Sequence, residues 1–408
     1  MCSAAAGRHA TAHHVWRIFA ASLTALTSLL LAGCPSGPPQ PPAAPTRVMV
    51  IGGYNSGSSG GPDARREIYF FNSGSGNFEE PPHFMGEGRY CHTATFVNFG
   101  RTGFVLVTGG FNATSVVSKT AEIIFPDGSR QTTGSMQRPR TNHQATGLLD
   151  GRVLITGGQD LSGNTRIILG DTEIYDPSTG AFTQGNFLFD ARFGHTATLI
   201  EDGPARGKVL VAGGAGAGDG AEIFDPATGM STRTIDLGGT KMTFPRAFHT
   251  ATWLPGLNQV LIAGGEDPRT TRQATAQAEL FDPATNGFTR VGDMRVPRYF
   301  HTATNIGLNV VLITGGVDSS GNTHRLAELF DPLQKSFALT THAMTEQRSH
   351  GSAALLAAGP LAGQVLVVGG NTLFDDAELF DPAQQSFAAV PPQHGQFGSF
   401  CQTATPLP

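Results

Sequence analysis

An apolar run ending in Gly-Gly recurs seven times along the chain, and no other feature limits the fold so tightly. The runs are V-M-V-I-G-G at 48–53, V-L-V-T-G-G at 105–110, V-L-I-T-G-G at 153–158, V-L-V-A-G-G at 209–214, V-L-I-A-G-G at 260–265, V-L-I-T-G-G at 311–316 and V-L-V-V-G-G at 365–370. Their first glycines lie 48 to 57 residues apart, a period that marks stacked structural repeats. Six runs are preceded by H-T-A-T or a close variant, at His92, His143, His195, His249, His301 and His350. Five are followed by A-E-I-F-D-P or a variant, around Asp176, Asp225, Asp282, Asp331 and Asp381. An aromatic residue comes next, as at Phe182, Phe288, Phe337 and Phe387.

Each unit therefore holds four short strands. The Gly-Gly strand is apolar without alternation, the pattern of a strand covered on both faces. The Asp-Pro step is turn chemistry, because Asp bonds the turn backbone and Pro presets φ. Four-stranded antiparallel units at this spacing stack around an axis as a propeller, so the expected fold is all-β with seven blades. The ends of the repeat region complement each other. It begins on a Gly-Gly strand at Val48 and ends on F-C-Q-T-A-T at 400–405, a His-type strand with Gln402 in the His place. The C-terminal strand is expected to join the N-terminal blade and close the ring, which removes the exposed edges of an open array.

A His strand, then Gly-Gly, then E-x-[FY]-D-P, then an aromatic resembles the kelch repeat, over essentially all of residues 46–405. Two departures stand out. Phe replaces the usual Trp of the fourth strand, with Met230 in one blade, and the second unit reads I-I-F-P-D-G at 123–128. The resemblance implies a binding or scaffold module. It also admits a sugar-acting enzyme, such as a mutarotase or a copper-radical oxidase of the galactose-oxidase type. The oxidases use two Tyr and two His ligands with flanking domains. This chain has five Tyr, and Tyr69 and Tyr175 occupy packing positions. No paired general acid and base stands apart from the repeat. The expectation is a non-enzymatic module without a cofactor or metal, with the sugar-acting enzyme as the alternative.

The N-terminus carries an address. Arg8 and Arg17 precede an apolar run from Ile18 to Ala32, about 22 Å long as a helix and short of a bilayer core. A basic start, a short apolar run and small residues at its end mark a signal peptide. The run closes on Leu31-Ala32-Gly33-Cys34, which resembles the lipobox of bacterial lipoproteins. That resemblance implies lipidation of Cys34, and Pro35 after it implies the outer membrane. The expected organisation is a signal peptide over 1–33, a Pro-rich spacer over 34–45 and the propeller over 46–408. The formal charge is −5 with no long Lys/Arg run, so the footprint of a nucleic-acid binder is missing. The expected partners are the membrane, through the lipid, and a protein or glycan ligand, with the protein a monomer.

Several repeated residues invite functional readings. The histidines are spread around a ring, whereas a metal needs its ligands around one ion, so they are assigned to the blades. Arg89, Arg140, Arg192, Arg246 and Arg298 lie three residues before a His, and Arg348 lies two before His350, as if one residue were deleted. Glu122, Glu173, Glu222, Glu279, Glu328 and Glu378 also recur once per blade. These charges either pair inside or between blades or form a ring for an anionic ligand, and the matched numbers favour pairing. Met85, Met136, Met242, Met294 and Met344 are expected to fill the core. The D-L-S-G-N-T and D-S-S-G-N-T loops at 160–165 and 318–323 are expected to be turns, having too few oxygens for calcium. Arg269, Arg272, His324 and Arg325 make the rim between blades five and six the candidate docking site. Cys91 and Cys401 each precede the His place of neighbouring inner strands. Two readings stand for them: a disulfide stapling the closing strand, or two small residues filling tight space.

Overall fold

The computed structural model describes residues 46–56, 62–162, 165–270, 273–370, 377–391 and 400–407. Residues 1–45, and with them Cys34 and its lipobox, lie outside the described residues, as does Arg272.

Seven four-stranded antiparallel sheets follow one another along the chain. Six are built from consecutive segments. Blade five, for example, runs Thr250–Leu254, Gln259–Ala263, Ala278–Asp282 and Gly287–Arg290 from the axis outward. The seventh sheet has the order Thr403–Leu407, Arg47–Ile51, Glu67–Asn72, Asn77–Phe84, and so joins the two ends of the repeat region. Its closing register pairs Val50 with Ala404 and Arg47 with Leu407. The expected closure is present. Inner strands of successive blades are laced by threonine: Thr95 donates to the Ala145 carbonyl at 3.2 Å, Thr146 to Ala197 at 3.1 Å and Thr405 to Ala94 at 3.3 Å.

The core lies between blades. Val48, Val50 and Phe71 of blade one pack with Leu366 and Val368 of blade seven, and Met49, Ile51 and Phe70 pack with Val105 and Val107 of blade two. Every residue of the second strands from Val153–Thr156 to Val365–Val368 at these junctions is buried where it is apolar, as a strand sandwiched on both faces must be. Met85, Met136, Met242, Met294 and Met344 are buried. The Asp-Pro turns form as expected: Asp176, Asp225, Asp282, Asp331 and Asp381 each accept the N–H two residues on, at 2.8–3.0 Å. The fourth-strand aromatic lies against the third strand, with ring centroids 4.9 Å apart for Phe281–Phe288 and 5.0 Å for Phe330–Phe337. In blade four, however, Ser231 rather than Met230 stands opposite Phe224; Met230 points outward and the Ser231 hydroxyl bonds Glu222 at 2.6 Å.

The repeat residues hold this frame. Each Arg is buried and faces the Glu of its own blade, at 2.7 Å for Arg140–Glu173 and 2.8 Å for Arg246–Glu279, Arg298–Glu328 and Arg348–Glu378. Arg192 meets Glu222 in the same way, and Arg89 lies 3.4 Å from Glu122. The same guanidinium also donates to the carbonyl of the first glycine, as Arg246 does to Gly264 at 2.8 Å. The Glu carboxylate in turn accepts N–H groups from the loop that carries the Met, for instance Thr243 N at 2.8 Å. Blade one lacks both members. The register places Tyr69 at the Glu position, and the sequence places Ser399 where the Arg would be.

The first glycine is required by close approach. Gly264 has φ +63°, and a Cβ there would lie 2.6 Å from both the Arg298 carbonyl and the His301 ring. The His of one blade therefore packs on the glycine of the blade before it. Its Nε2 reaches back to that blade's threonine, at 3.0 Å for His301 to Thr250 and for His249 to Thr196. These histidines are inter-blade struts.

One assignment is corrected. His350 does not occupy the repeat His place. Arg348 keeps the same spacing as every other repeat Arg, no residue is deleted, and Gly351 stands where the other blades have His. His350 falls one position earlier, level with Cys91, and Ser349 is level with Tyr90.

Candidate functional site

At the mouth of the axial channel each blade contributes the residue just before its inner strand's His place: Cys401, Cys91, Asn142, Gly194, Phe248, Phe300 and His350 for blades one to seven. All seven adopt a left-handed backbone, with φ between 51° and 62°. Six of the seven are not glycine, and bulky residues held there carry strain that concentrates at functional sites. Their N–H groups donate to the carbonyl of the equivalent residue one blade back. The bonds are Cys91 to Cys401 at 3.2 Å, Gly194 to Asn142 at 3.0 Å, Phe248 to Gly194 at 2.7 Å, Phe300 to Phe248 at 3.1 Å, His350 to Phe300 at 3.0 Å and Cys401 to His350 at 2.9 Å. Between blades two and three the Thr141 hydroxyl takes over, donating to the Cys91 carbonyl at 3.3 Å. The channel mouth is thus a head-to-tail ring of six backbone hydrogen bonds completed by one threonine hydroxyl.

This ring encircles a cavity of about 590 Å³. Aromatic rings line one side of it in sequence. Tyr54 lies 4.8 Å from Tyr90, Phe248 lies 4.4 Å from Phe300, and Phe300 stacks on His350 at 3.6 Å. Phe400 bridges Tyr54 and His350, at 5.5 and 6.3 Å. The opposite side, from blades three and four, presents Asn142, Gln144 and Gly194. Gly194 is needed there, since a Cβ would strike the Phe248 ring at 2.6 Å. Among the described residues, no Asp, Glu, Lys or Arg lines the cavity. Its histidines are neutral: burial first, and the neighbouring Arg298 guanidinium second, lower His301 to about 3, and burial lowers His350 to about 4. Burial also pushes the Tyr54 phenol up to about 12.

Of the four rim residues, Arg272 lies outside the described residues. Arg269 is exposed and ion-paired with Asp267 of its own loop at 3.2 Å. His324 lies 3.8 Å from Asp318, and Arg325 is exposed. Asp318 and Asp160 spend their oxygens on their own turns, accepting Ser320 N at 2.8 Å and Ser162 N at 2.9 Å. Cys91 and Cys401 are free thiols on adjacent positions of the ring. Sequence reasoning missed the aromatic crescent. Its only signal was that the two residues between each repeat Arg and His vary while the Arg and His recur.

Two curated proteins resemble the chain. Beta-scruin of Limulus polyphemus is 25% identical over 307 residues, covering 69% of this chain and 30% of that protein. Spermatocyte protein spe-26 of Caenorhabditis elegans is 30% identical over 140 residues, covering 33% of this chain and 22% of that protein. Both are kelch-repeat proteins. The chain is a kelch-repeat β-propeller. It spans less than a third of the length of either relative. No protein-family model matches it. The kelch relationship supports a binding or scaffold module. The propeller's repeat charges are consumed inside the blades, and its mouth is left neutral and aromatic.

Proposed function

We propose that this propeller is a non-enzymatic binding module, exported and held at the outer membrane by a lipid on Cys34, that takes a neutral glycan ring in its axial cavity. The observation carrying the ligand is the lining. Flat aromatic faces at Phe248, Phe300 and Tyr54 suit the C–H faces of a sugar, and the Asn142 and Gln144 amides opposite suit its hydroxyls. A charged ligand would find no countercharge among the described lining residues, and an acid–base reaction no carboxylate. The anchor rests on the Leu31–Cys34 sequence.

Binding of the purified protein to a panel of neutral and acidic glycans tests the ligand. Neutral glycans are expected to bind, and Phe300→Ala to weaken them roughly tenfold, about 1.4 kcal/mol. Glycan binding untouched by Phe300→Ala, or selective capture of acidic ligands, refutes the cavity reading. The anchor is tested separately: Cys34→Ser is expected to leave the membrane fraction, and fatty acid label entering that variant refutes it.

A further inference from the structure

The geometry points to a disulfide between Cys91 and Cys401 that locks the propeller ring shut. These are the two cysteines of the propeller body, and both fall at one joint. In blades two to seven the inner strand continues covalently into the second strand. In blade one it is a separate piece of chain, Thr403–Leu407, held by hydrogen bonds and packing. Blade one also lacks the buried Arg–Glu pair and carries Gln402 in place of the His strut. The joint that most needs a covalent tie is where the cysteines sit.

Their placement suits a bridge. The Cys91 N–H donates to the Cys401 carbonyl at 3.2 Å. With ordinary bond lengths, that contact keeps the two Cα atoms within about 7 Å, the limit for a disulfide. Both have the same left-handed backbone, φ 51° and 55°, and hold adjacent positions of the ring. Both line the cavity, so a small thiol oxidant reaches them. The chemistry balances by thiol–disulfide exchange. One cysteine thiolate attacks a sulfur of the oxidant's disulfide, forming a mixed disulfide and expelling one thiolate. The second cysteine thiolate then attacks the protein sulfur of that mixed disulfide. The Cys91–Cys401 bond forms, the oxidant leaves as two thiols, and two protons leave the cysteines for them. In the exported setting of the proposed function the oxidant is a protein disulfide; oxidised glutathione stands in for it in solution. The neighbouring Cys401 thiol first, and burial second, raise Cys91, so exchange runs faster at alkaline pH.

The full chain is purified under reductant, exchanged into oxidised glutathione at pH 8, and then alkylated, digested and mapped. Loss of alkylation at Cys91 and Cys401 and a peptide joining their two segments are expected. Closing a loop of about 310 residues is expected to raise the melting temperature by roughly 5–10 °C, reversibly on reduction. Cys401→Ser is expected to show no such response; if it fails to fold, the oxidised-versus-reduced comparison of the unaltered protein stands alone. Free thiols at Cys91 and Cys401, or separate glutathione adducts on each of these two, overturn the bridge. A bridge without a melting shift overturns the lock. Because the oxidation is done on purified protein, its failure is distinct from a failure of the export or glycan readings.

Discussion

Acid should unfold this propeller near pH 5, and its buried histidines, five inter-blade struts and His350 of the mouth ring, are the reason. His92, His143, His195, His249, His301 and His350 are all held below the ordinary histidine value, burial being the first cause in each. Those with a neighbouring repeat Arg feel its positive charge as a second cause. Their folded values are depressed, so their contribution is complete above about pH 6.5 and drains away as pH falls toward the folded values. At pH 5 a histidine that is protonated only in the unfolded chain costs about 2 kcal/mol. Six of them sum to about 12 kcal/mol, comparable with the whole stability of an ordinary domain. The carboxylates of Asp176 and Asp318, lowered by hydrogen bonds from Ser178 and Asn322, act only in a more acidic window. Denaturant unfolding measured at each pH from 8 to 5 gives the slope directly. The expectation is an uptake of about six protons on unfolding near pH 5, at about 1.4 kcal/mol per proton per pH unit. His301→Gln should remove about one proton from that slope, and the chain already uses Gln402 at this position, where it donates to the Val368 carbonyl at 2.7 Å. An uptake of fewer than about two protons would refute the assignment of these histidines as buried and neutral.

Three further outcomes follow from the frame. Arg246→Ala should cost about 3 kcal/mol in urea unfolding at pH 8, because it leaves Glu279 buried without its partner; Glu279→Ala added to it should cost far less than a second such loss. Gly264→Ala should destabilise by about 2–3 kcal/mol, since φ is +63° and the Arg298 carbonyl and His301 ring occupy the Cβ position; an unchanged midpoint would show that the neighbouring blade yields. Deleting 400–408 removes the inner strand Thr403–Leu407 and should cost several kcal/mol, with protease cleavage appearing first in blade one; an unchanged melting temperature would argue against closure by this strand.

The blades, the closure and the ion pairs were legible in the sequence because each rests on residues that every unit must repeat. Gly-Gly is fixed by a left-handed φ and a touching neighbour, and Arg and Glu are fixed by their mutual burial. The register of blade seven was misread because the letters H-G-S-A imitate the His strand. The spacing from Arg348 was the better guide, since the Arg–Glu geometry cannot shift by one residue without leaving a buried charge alone. The site at the channel mouth left no pattern. Cys, Asn, Gly, Phe, Phe, His and Cys share no side-chain chemistry; what they share is a backbone conformation and one hydrogen bond, and neither is written in residue type.

That division bears on how such a ring recognises anything. A mouth with identical side chains from seven blades would offer a ligand seven equivalent orientations. Here the backbone ring repeats while the side chains do not. Aromatic faces at Tyr90, Tyr54, His350, Phe300 and Phe248 line one side, with Phe400 in contact with Tyr54 and His350, and the amides of Asn142 and Gln144 face them across the cavity. A sugar has the same two-sided character, with an apolar face of C–H groups and an edge of hydroxyls. The asymmetry gives it one preferred orientation, and the strained backbone beneath holds the rings where they stand. The repeat charges cannot serve this purpose, because moving an Arg toward a ligand would strand its Glu inside the blade. Specificity is therefore carried by the mouth positions the fold leaves free to vary, among them the residue before each inner strand's His place.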